Sequence, residues 1–439
     1  MTNRTHDPEL RSWVASANAP SCDFPIQNLP YGVFTRRSSG SPPRVGVAIG
    51  DFILDVSACV QEGLLDPSPA ADACGEPTVN RLMAREPGAL STLRAELSDI
   101  LSAATAVGQR AREAESRILV PMSDAMTGLP VEIGDYTDFY ASVNHATNVG
   151  SMFRPDNPLL PNYKWLPIGY HGRASSIVPS GTAIIRPKGQ TKAADADKPV
   201  FGPSKMLDYE SELGFFVGRG NSLGESIPIE SAWDHIFGFC LVNDWSARDV
   251  QTWEYQPLGP FLAKNFATTI SAWVVTAEAA EPYRVPALVR EDGDPKPLDH
   301  LSSDYDSKLG GLNAFLEVYL SSPEMRARKI EPVRLSRAPF NLMYWTVGQM
   351  LAHHASNGCN MRAGDLLASG TVSGTDRDAR GCLLELTWRG TEPVTLPTGE
   401  ERRFLIDGDE VIMKGGLEAE GHPRLGFGEC RGMVLPSME

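Results

Sequence analysis

The chain has 439 residues, 42% of them hydrophobic, and its 55 Asp and Glu outnumber its 40 Lys and Arg, giving a formal net charge of -15 at pH 7. A chain of this length and apolar content can bury a large core and divide into two or three domains. The excess of acid excludes the clustered positive charge that nucleic acids and anionic membrane surfaces require, so we expect neither as a partner.

The amino terminus, MTNRTHDPELRSW, is polar and mixed in charge, so we expect no signal peptide. No run approaches 18 uninterrupted apolar residues, which argues against an ordinary transmembrane helix. The seven cysteines are scattered and contain no CxxC pair, a pattern that favours buried free thiols over a disulfide framework or a zinc ribbon. These features together predict a cytoplasmic globular protein.

The amino-terminal part of the chain alternates and then becomes helical. The segment 44–57, RVGVAIGDFILDVS, turns at Gly50 and Asp51 and predicts a β-hairpin in a small β-rich unit. Residues 80–117 are rich in Ala, Leu and Arg, which predicts helices.

A boundary follows, because ILVPMSDAMTGLP at 119–131 carries two prolines and several turn residues. We therefore place one domain at 1–125 and a second at 126–439. Predicted strands of the second domain are Glu212–Val217, Phe239–Val242, Ala272–Val275, Phe315–Leu320, Leu383–Trp388 and Glu410–Met413. One helix is predicted between Asn341 and Ser356, with Gly358 just past its end. Strands with few intervening helices predict a mainly β, α+β fold instead of a doubly wound α/β sheet.

Two short motifs invite a functional interpretation that their context does not favour. Ser222 lies in a GxSxG string, but ESIPIE follows it, and a nucleophile elbow needs a helix directly after the serine. We expect a surface turn there. His353 and His354 lack the HExxH spacing and fall within the predicted helix, so packing is the better interpretation.

The acids around LDYESELGFFV are more informative. Glu210 and Glu212 would share one face of a strand whose following residues are apolar, so the pair is predicted to be buried. Two adjacent buried carboxylates stay ionised together only when a cation neutralises them. Carboxylate ligands favour a hard divalent ion, Ca²⁺ or Mg²⁺, over softer metals, although a pair of solvated acids is the alternative.

The segment that begins at Asn243 carries a polar stripe. Asp244 could cap a helix, or, if the segment is helical throughout, it would share a face with Arg248, Gln251 and Tyr255. That face is too polar for a core, and it is followed by a rigid turn that leads to Lys264, which taken alone would more often be a surface lysine.

A candidate base and its orienting group lie far apart in the chain. Asp138 and His145 are seven residues apart, which on a helix would place them on one face, and His145 is a natural general base at neutral pH. Glu385 lies in the middle of the apolar string LLELTW, where a buried carboxylate would need a partner. Surface exposure of both residues is the alternative.

Several long strings, taken in order, resemble the fumarylacetoacetase family. They run from about residue 12 to residue 436 and are DFPIQNLPYGVF, RVGVAIGD, IGDYTDFY, HATNVG, LPIGYHGRASS, NDWSARD, WEYQPLGPFL, LLASGTVSG and DGDEVI. The resemblance implies hydrolysis of the carbon–carbon bond of fumarylacetoacetate to fumarate and acetoacetate, the last step of tyrosine and phenylalanine breakdown.

The resemblance also implies roles for individual residues. The implied metal ligands are Asp138, Glu210, Glu212 and Asp244, with a second Mg²⁺ position at Asp244, Lys264 and Thr268. The implied catalytic residues are His145, Glu385, Arg248, Gln251 and Lys264, and the implied substrate contacts are Tyr140, Arg154, Tyr170, Gln251, Tyr255 and Thr371. Ala267 departs from the glycine that the family pattern leads us to expect beside the second ion.

The family fold is a small SH3-like β-barrel followed by a larger mixed β-roll domain, through which a homodimer forms. His145, held by Glu385, would activate water, and the metal would hold the departing group as an enolate. Alternatives are a related acylpyruvate or other β-diketone hydrolase, an oxaloacetate decarboxylase, a metal-stabilised binding protein without catalysis, and a serine hydrolase using Ser222.

Overall fold

The structure is a computed structural model that describes residues 2–37, 40 and 42–439. It is a mixed α/β fold dominated by sheets and has two domains. Its strands are Tyr31–Arg36, Arg44–Ile49, Phe52–Asp55, Leu119–Pro121, Ala125–Thr127, Tyr136–Phe139, Gly169–Gly172, Ile177–Pro179, Ile184–Ile185, Lys188–Thr191, Val200–Pro203, Leu207–Asp208, Ser211–Val217, Ile236–Asp244, Ser246–Ala247, Thr268–Ile270, Trp273–Thr276, Arg284–Val285, Gly311–Leu312, Ala314–Ser321, Val333–Pro339, Leu366–Ala368, Val394–Thr395, Glu401–Arg402, Glu410–Leu417, Leu425–Gly426 and Cys430–Leu435.

The α-helices are short, and the longest, Pro87–Leu101, packs in the amino-terminal domain. They are Val56–Gln61, Pro69–Ala73, Asn80–Met83, Pro87–Leu101, Ala106–Glu113, Glu115–Ile118, Val143–Phe153, Arg248–Glu254, Ala277–Ala280, Asp304–Leu309, Pro323–Ala327, Val347–Ala355 and Leu383–Leu386. None of the helices in the described ranges is long and apolar enough to cross a membrane.

The predicted amino-terminal hairpin is confirmed. Strands Arg44–Ile49 and Phe52–Asp55 pair antiparallel around Gly50, whose φ of 56° suits the tight turn. The neighbouring strand Tyr31–Arg36 pairs on its other edge with Trp273–Thr276 of the second domain. Because this edge continues into the second domain, the strands of the described residues do not close into a barrel, and the SH3-like barrel is not found.

One sheet contains the strands that bear Asp138, Glu212 and Asp244. Its strands lie in the order Trp273–Thr276, Ile236–Asp244, Ser211–Val217, Leu366–Ala368, Tyr136–Phe139 and Gly169–Gly172. A second sheet of six strands is built around Ala314–Ser321 and Glu410–Leu417, which pair along eight residues. Buried Leu, Phe, Val and Trp side chains from both sheets form the core of this domain.

Most strand predictions of the second domain are confirmed, but Leu383–Trp388 is wrong. Residues Leu383–Leu386 form a helical turn instead. Every side chain of this turn is buried, so an apolar string of this length carries no period that separates helix from strand. The turn is decided by tertiary contacts, since the backbone N–H groups of Leu383 and Leu384 donate to the carboxylate of Asp208.

Two helical placements are also wrong. Asp138 lies on the strand Tyr136–Phe139, and the helix that carries His145 begins only at Val143, capped by the Ser142 hydroxyl, which accepts from the His145 N–H at 3.3 Å. Asp244 is neither an N-cap nor helical, because it is the last residue of the buried strand Ile236–Asp244.

The structure confirms a turn at Ser222 and a helical position for His353 and His354. Residues 220–224, which include Ser222, lie in a turn with no helix after the serine. His353 and His354 lie in the helix Val347–Ala355, where Nε2 of His354 is 2.8 Å from the Thr137 hydroxyl. All seven cysteines are free, and five of them are buried.

Candidate active site and metal site

Sheet topology explains how acids distant in sequence meet. Strand Leu366–Ala368 pairs parallel with Tyr136–Phe139, Ala368 opposite Asp138, and antiparallel with Ser211–Val217. Strand Ser211–Val217 then pairs with Ile236–Asp244, which ends at Asp244. Carboxylate oxygens of Asp138, Glu212 and Asp244 thereby lie within 4.8 Å of one another, and all three residues are buried.

Asp138 is held from two sides. Its Oδ1 accepts from the Gly370 N–H at 3.1 Å and its Oδ2 from the Tyr136 hydroxyl at 3.2 Å. Burial, and after it the charge of Asp244, raise the pKa of Asp138 well above its usual range. The carboxylate is therefore poised to be ionised only when positive charge is brought to it.

Glu212 is the orphan of the group. It has no exposed surface, and neither carboxylate oxygen has a hydrogen-bond partner within the described ranges. Burial, and after it the charges of Asp138 and Glu210, raise the pKa of Glu212 well above its usual range. A buried carboxylate without a donor is costly to the fold, which indicates that a ligand belongs there.

Asp244 has the most partners. Its Oδ2 accepts from Lys264 Nζ at 2.7 Å and from the Tyr170 hydroxyl at 2.8 Å, and its Oδ1 accepts from the Thr268 hydroxyl at 3.2 Å. Burial lowers the pKa of Lys264, but Asp244 and Glu210 outweigh it and raise that pKa above its usual value, so the ammonium stays charged.

Glu210 differs from the other acids because cations hold both of its oxygens. Arg248 Nη1 lies 2.6 Å from Oε1, and Lys264 Nζ donates to Oε2. Burial would raise the pKa of Glu210, but Lys264, Arg248 and His145 outweigh it and hold the pKa well below its usual range. Arg248 Nη1 also donates to Gln251 Oε1 at 3.2 Å, so Gln251 joins the same network.

A divalent cation fits the three-carboxylate group. Asp138, Glu212 and Asp244 together supply up to three negative charges, and Lys264, bonded to Asp244, supplies one positive charge. Because Lys264 is shared with Glu210, the three acids keep an excess of negative charge that a divalent ion would neutralise, and Glu212 offers two free oxygens to it. An all-oxygen donor set suits a hard cation. Whether Glu210 also ligates stays a prediction.

The second cluster is a histidine–carboxylate pair. His145 Nδ1 lies 2.6 Å from Glu385 Oε2, and both side chains are buried. Burial would raise the pKa of Glu385, but His145 and the hydrogen bonds to it lower that pKa to about 2. An ionised Glu385 fixes the proton on Nδ1 and leaves Nε2 of the ring as the proton acceptor.

Three residues that the sequence analysis missed hold Glu385 in place. Asn148 Nδ2 donates to Oε1 at 2.8 Å, while the Ser373 hydroxyl at 2.8 Å and the Cys382 thiol at 3.3 Å both donate to Oε2. Asn148 follows His145 by three residues on one helix, and that spacing was a signal available in the sequence. Ser373 and Cys382 meet Glu385 only through the tertiary fold.

Two of the predicted substrate contacts, Tyr140 and Thr371, lie beside these clusters, and their substrate roles stay predictions. The Tyr140 ring packs edge-on against His145, with centroids 5.3 Å apart. The Thr371 hydroxyl is buried without a partner in the described ranges, as is Arg248 Nη2. Both groups are therefore available to hydrogen-bond a ligand.

Two predicted substrate contacts lie at the surface. Arg154 follows the helix of His145, is exposed, and donates from Nη2 to the Pro158 carbonyl at 3.1 Å. Tyr255 caps the helix Arg248–Glu254 and is 37% exposed. Their substrate roles stay predictions. Ala267 is buried beside Thr268, and the effect of its methyl group on a second ion is equally untested.

Two family models match this chain. A family model described as fumarylacetoacetate (FAA) hydrolase C-terminal matches residues 135–434, and one described as fumarylacetoacetase N-terminal matches residues 27–130. Fumarylacetoacetase of Bos taurus is 50% identical over 424 residues, which are 96% of this chain and 98% of the bovine one. Fumarylacetoacetase of Caenorhabditis elegans is 52% identical over 421 residues, 94% and 97% of the two chains.

The chain therefore belongs to the fumarylacetoacetase family. Among solved structures, a fumarylacetoacetate hydrolase from Exiguobacterium antarcticum aligns with a TM-score of 0.50 over 93% of this chain and 99% of its own. Its sequence identity is 16%, so this likeness speaks for the fold alone.

Proposed function

We propose that this protein hydrolyses the carbon–carbon bond of fumarylacetoacetate, giving fumarate and acetoacetate in tyrosine and phenylalanine breakdown. The observation that carries the proposal is the buried His145–Glu385 pair next to a buried group of carboxylates with an orphaned Glu212. A general base beside a divalent-cation site is what hydrolysis of a β-diketone requires. High identity to fumarylacetoacetases over nearly the whole chain supports the same activity.

His145 acts as the base in this proposal. Glu385 orients the imidazole and stabilises the imidazolium that forms as Nε2 takes the proton of a water molecule and that water attacks the substrate carbonyl. Asn148 and Ser373 support the orientation through their bonds to Glu385. The same imidazolium then holds the proton that the departing carbon requires.

Cationic and amide groups face the charge that develops on the attacked carbonyl. Glu210 binds both Arg248 and Lys264, and Arg248 donates to Gln251, so the three residues are fixed in one hydrogen-bonded network before substrate arrives. Preorganised donors of this kind stabilise an oxyanion without reorganisation cost. Arg154 would bind a terminal carboxylate of the substrate, with Tyr140, Tyr170, Tyr255 and Thr371 adding hydrogen bonds.

Ca²⁺ or Mg²⁺ is the proposed metal, held by Asp138, Glu212 and Asp244 with Glu210 as the fourth ligand. When bound, the ion would supply Lewis-acid stabilisation of negative charge on the substrate oxygens. A second Mg²⁺ is proposed at Asp244, Lys264 and Thr268, where the Lys264 ammonium and the Thr268 hydroxyl both donate to Asp244.

A homodimer is also proposed. Apolar side chains are exposed on the second domain, among them Phe201 at 70% and Leu258 at 96%. The hairpin of Phe201 and the helix before Leu258 are in contact, since Trp253 Nε1 donates to Gln190 Oε1 at 3.4 Å. Large apolar side chains exposed on neighbouring elements are typical of an association face. Sedimentation of the protein and of F201S would test it, and an unchanged monomer mass for both would reject it.

The activity test measures the loss of ultraviolet absorbance with fumarylacetoacetate, and separately with an acylpyruvate, before and after chelation. We expect metal-dependent turnover of fumarylacetoacetate. His145→Ala should lower kcat by about 10²–10⁴-fold while leaving metal content and fold intact, because only the base is removed. Retained turnover in this variant would remove His145 as the base, and preference for the acylpyruvate would instead favour a related β-diketone hydrolase.

A further inference from the structure

Asp208 is a fully buried carboxylate that lies outside the residues assigned above. Strand Leu207–Asp208 pairs antiparallel with Ser246–Ala247, Asp208 opposite Ser246. Arg248 follows directly as the first residue of its helix, and its backbone N–H donates to the Met206 carbonyl at 2.9 Å. This pairing brings the Arg248 guanidinium to the Asp208 carboxylate.

The two oxygens of Asp208 bind two separate pieces of the site. Oδ2 accepts from Arg248 Nε at 2.9 Å and from the Leu384 N–H at 3.0 Å. Oδ1 accepts from the Leu383 N–H at 2.8 Å and from its neighbour Tyr209 at 2.9 Å. The residue before the helical turn, Cys382, makes no side-chain cap, so Asp208 satisfies the first N–H groups of that turn.

Both pieces carry proposed catalytic groups. The helical turn Leu383–Leu386 bears Glu385, whose Oε2 is 2.6 Å from His145 Nδ1. Arg248 presents Nη1 to Glu210 and leaves Nη2 buried without a partner in the described part of the chain. One carboxylate therefore sets the distance between the base–orienter pair and the oxyanion-stabilising arginine.

We propose that Asp208 is a positioning residue for the reaction: by joining the turn of Glu385 to the guanidinium of Arg248, it holds base and oxyanion donor in one geometry. This inference rests on the proposed function for its kinetic consequence. Small displacements of catalytic groups are expensive, since a misplacement of about 1 Å can cost about 10²-fold in rate.

The variant that tests it is Asp208→Asn, which keeps the shape but replaces one acceptor oxygen by a donor facing N–H groups. We expect kcat of the metal-loaded enzyme to fall about 10–100-fold with KM changed by less than about threefold, because alignment and not substrate binding is lost. Combined with Glu385→Gln, the loss should be smaller than the product of the single losses, because both changes act on His145.

A matched control exists in the amino-terminal domain. Asp55 is also buried, accepts from Arg44 Nε at 3.0 Å, and caps the helix Val56–Gln61 through the Ala58 N–H at 3.2 Å. Asp55→Asn removes the same kinds of bond away from the site, so it should lower stability and leave kcat unchanged. Equal kcat for D208N and wild type, or equal kcat losses for D208N and D55N, would overturn the proposal.

A second measurement covers the case in which D208N does not fold. Arg248→Lys removes the Nε bond to Asp208 together with the Nη1 bonds to Glu210 and Gln251, and of these only the Nε bond reaches the carboxylate that holds the turn of Glu385. Hydrogen exchange in the peptide that contains residues 383–386 should therefore quicken at least about threefold, while the peptide of 56–61 stays unchanged. Unchanged exchange at 383–386 would overturn the proposal. This readout needs no substrate, so absence of wild-type turnover would reject the proposed function and leave the exchange result to decide the role of Asp208.

Discussion

The buried carboxylates of this protein differ in their pKa values, and the difference follows from the groups that hydrogen-bond or ion-pair with each of them. Glu210 is held by two cations and Glu385 by four donors that include His145, so both pKa values fall below the usual range. Burial, and after it the charges of neighbouring acids, raise the pKa values of Asp138 and Glu212. Residues of one type, within a few ångströms of one another, are therefore prepared for ionised and for cation-dependent roles.

Asp306 lies away from the site, so the effect of burial on the pKa of a carboxyl can be measured there without disturbing the site. Burial raises its pKa to about 6 despite the bond from the Thr346 hydroxyl at 3.0 Å. The folded state then binds the proton more tightly than the unfolded state, so protonation favours folding and stability is lost as pH rises from about 4 to about 6.

We predict that Asp306→Asn removes this loss. Between pH 4 and pH 8 the free energy of unfolding of the wild type should fall relative to that of the variant by about 2.5 kcal/mol, slightly less than the full shift of about two pKa units because the unfolded carboxyl is already partly ionised at pH 4. Urea unfolding of both proteins at the two pH values measures it. Parallel pH profiles for the two proteins would show that Asp306 titrates normally in the fold.

Among the elements, the loop after strand Leu366–Ala368 depends on a glycine. Gly370 has φ of 75°, its N–H holds Asp138, and a Cβ there would lie 2.2 Å from the Phe139 carbonyl oxygen. Gly421 has the same φ, but a Cβ there would meet nothing within 4 Å. The two glycines therefore share the same φ and differ in the room that a Cβ atom would have.

Gly370→Ala should weaken metal binding and lower the melting temperature, because the loop must move away from Asp138. Gly421→Ala should cost only the left-handed strain of about 1–2 kcal/mol and leave metal affinity unchanged. Metal titration by calorimetry and thermal unfolding of both variants provide the comparison. Equal effects of the two substitutions would mean that backbone strain alone explains the effect of replacing Gly370, with no contribution from the contact with Phe139.

On the scale of the whole molecule, the excess of acid and the pocket chemistry have separate consequences. The net charge of -15 is a sum over the whole chain, whereas three buried acids lie together in the site, where Lys264 pairs with Asp244 and Arg248 pairs with the neighbouring Glu210. The ion that this group accommodates would join strands from three places in the sequence, so its binding is also folding free energy.

Removal of the metal should therefore destabilise the protein as a whole. At a free metal concentration about 100 times the dissociation constant, the ion contributes about 2.7 kcal/mol, so chelation should lower the melting temperature measurably. Glu212→Gln should abolish most of this difference, since it removes the ligand that has no other partner. A melting temperature that chelation leaves unchanged would argue against the carboxylate group as a metal site.

The sequence by itself determined the acidic composition, the amino-terminal hairpin, most strands of the second domain and, through long characteristic strings, the family. It also identified Asp138, Glu212, Asp244, His145 and Glu385 as candidates. Local patterns sufficed there because strand alternation, turn residues and distinctive strings are properties of neighbouring residues.

Only the tertiary structure decided how those candidates are used. The helical turn of Glu385 exists because Asp208, 175 residues earlier, accepts its N–H groups, and no local period in LLELTW encodes that bond. Asp138 meets Glu212 and Asp244 because a parallel strand from residues 366–368 lies between two others. Partners of buried polar groups are supplied by sheet order, which depends on contacts across the whole chain and not on any one segment.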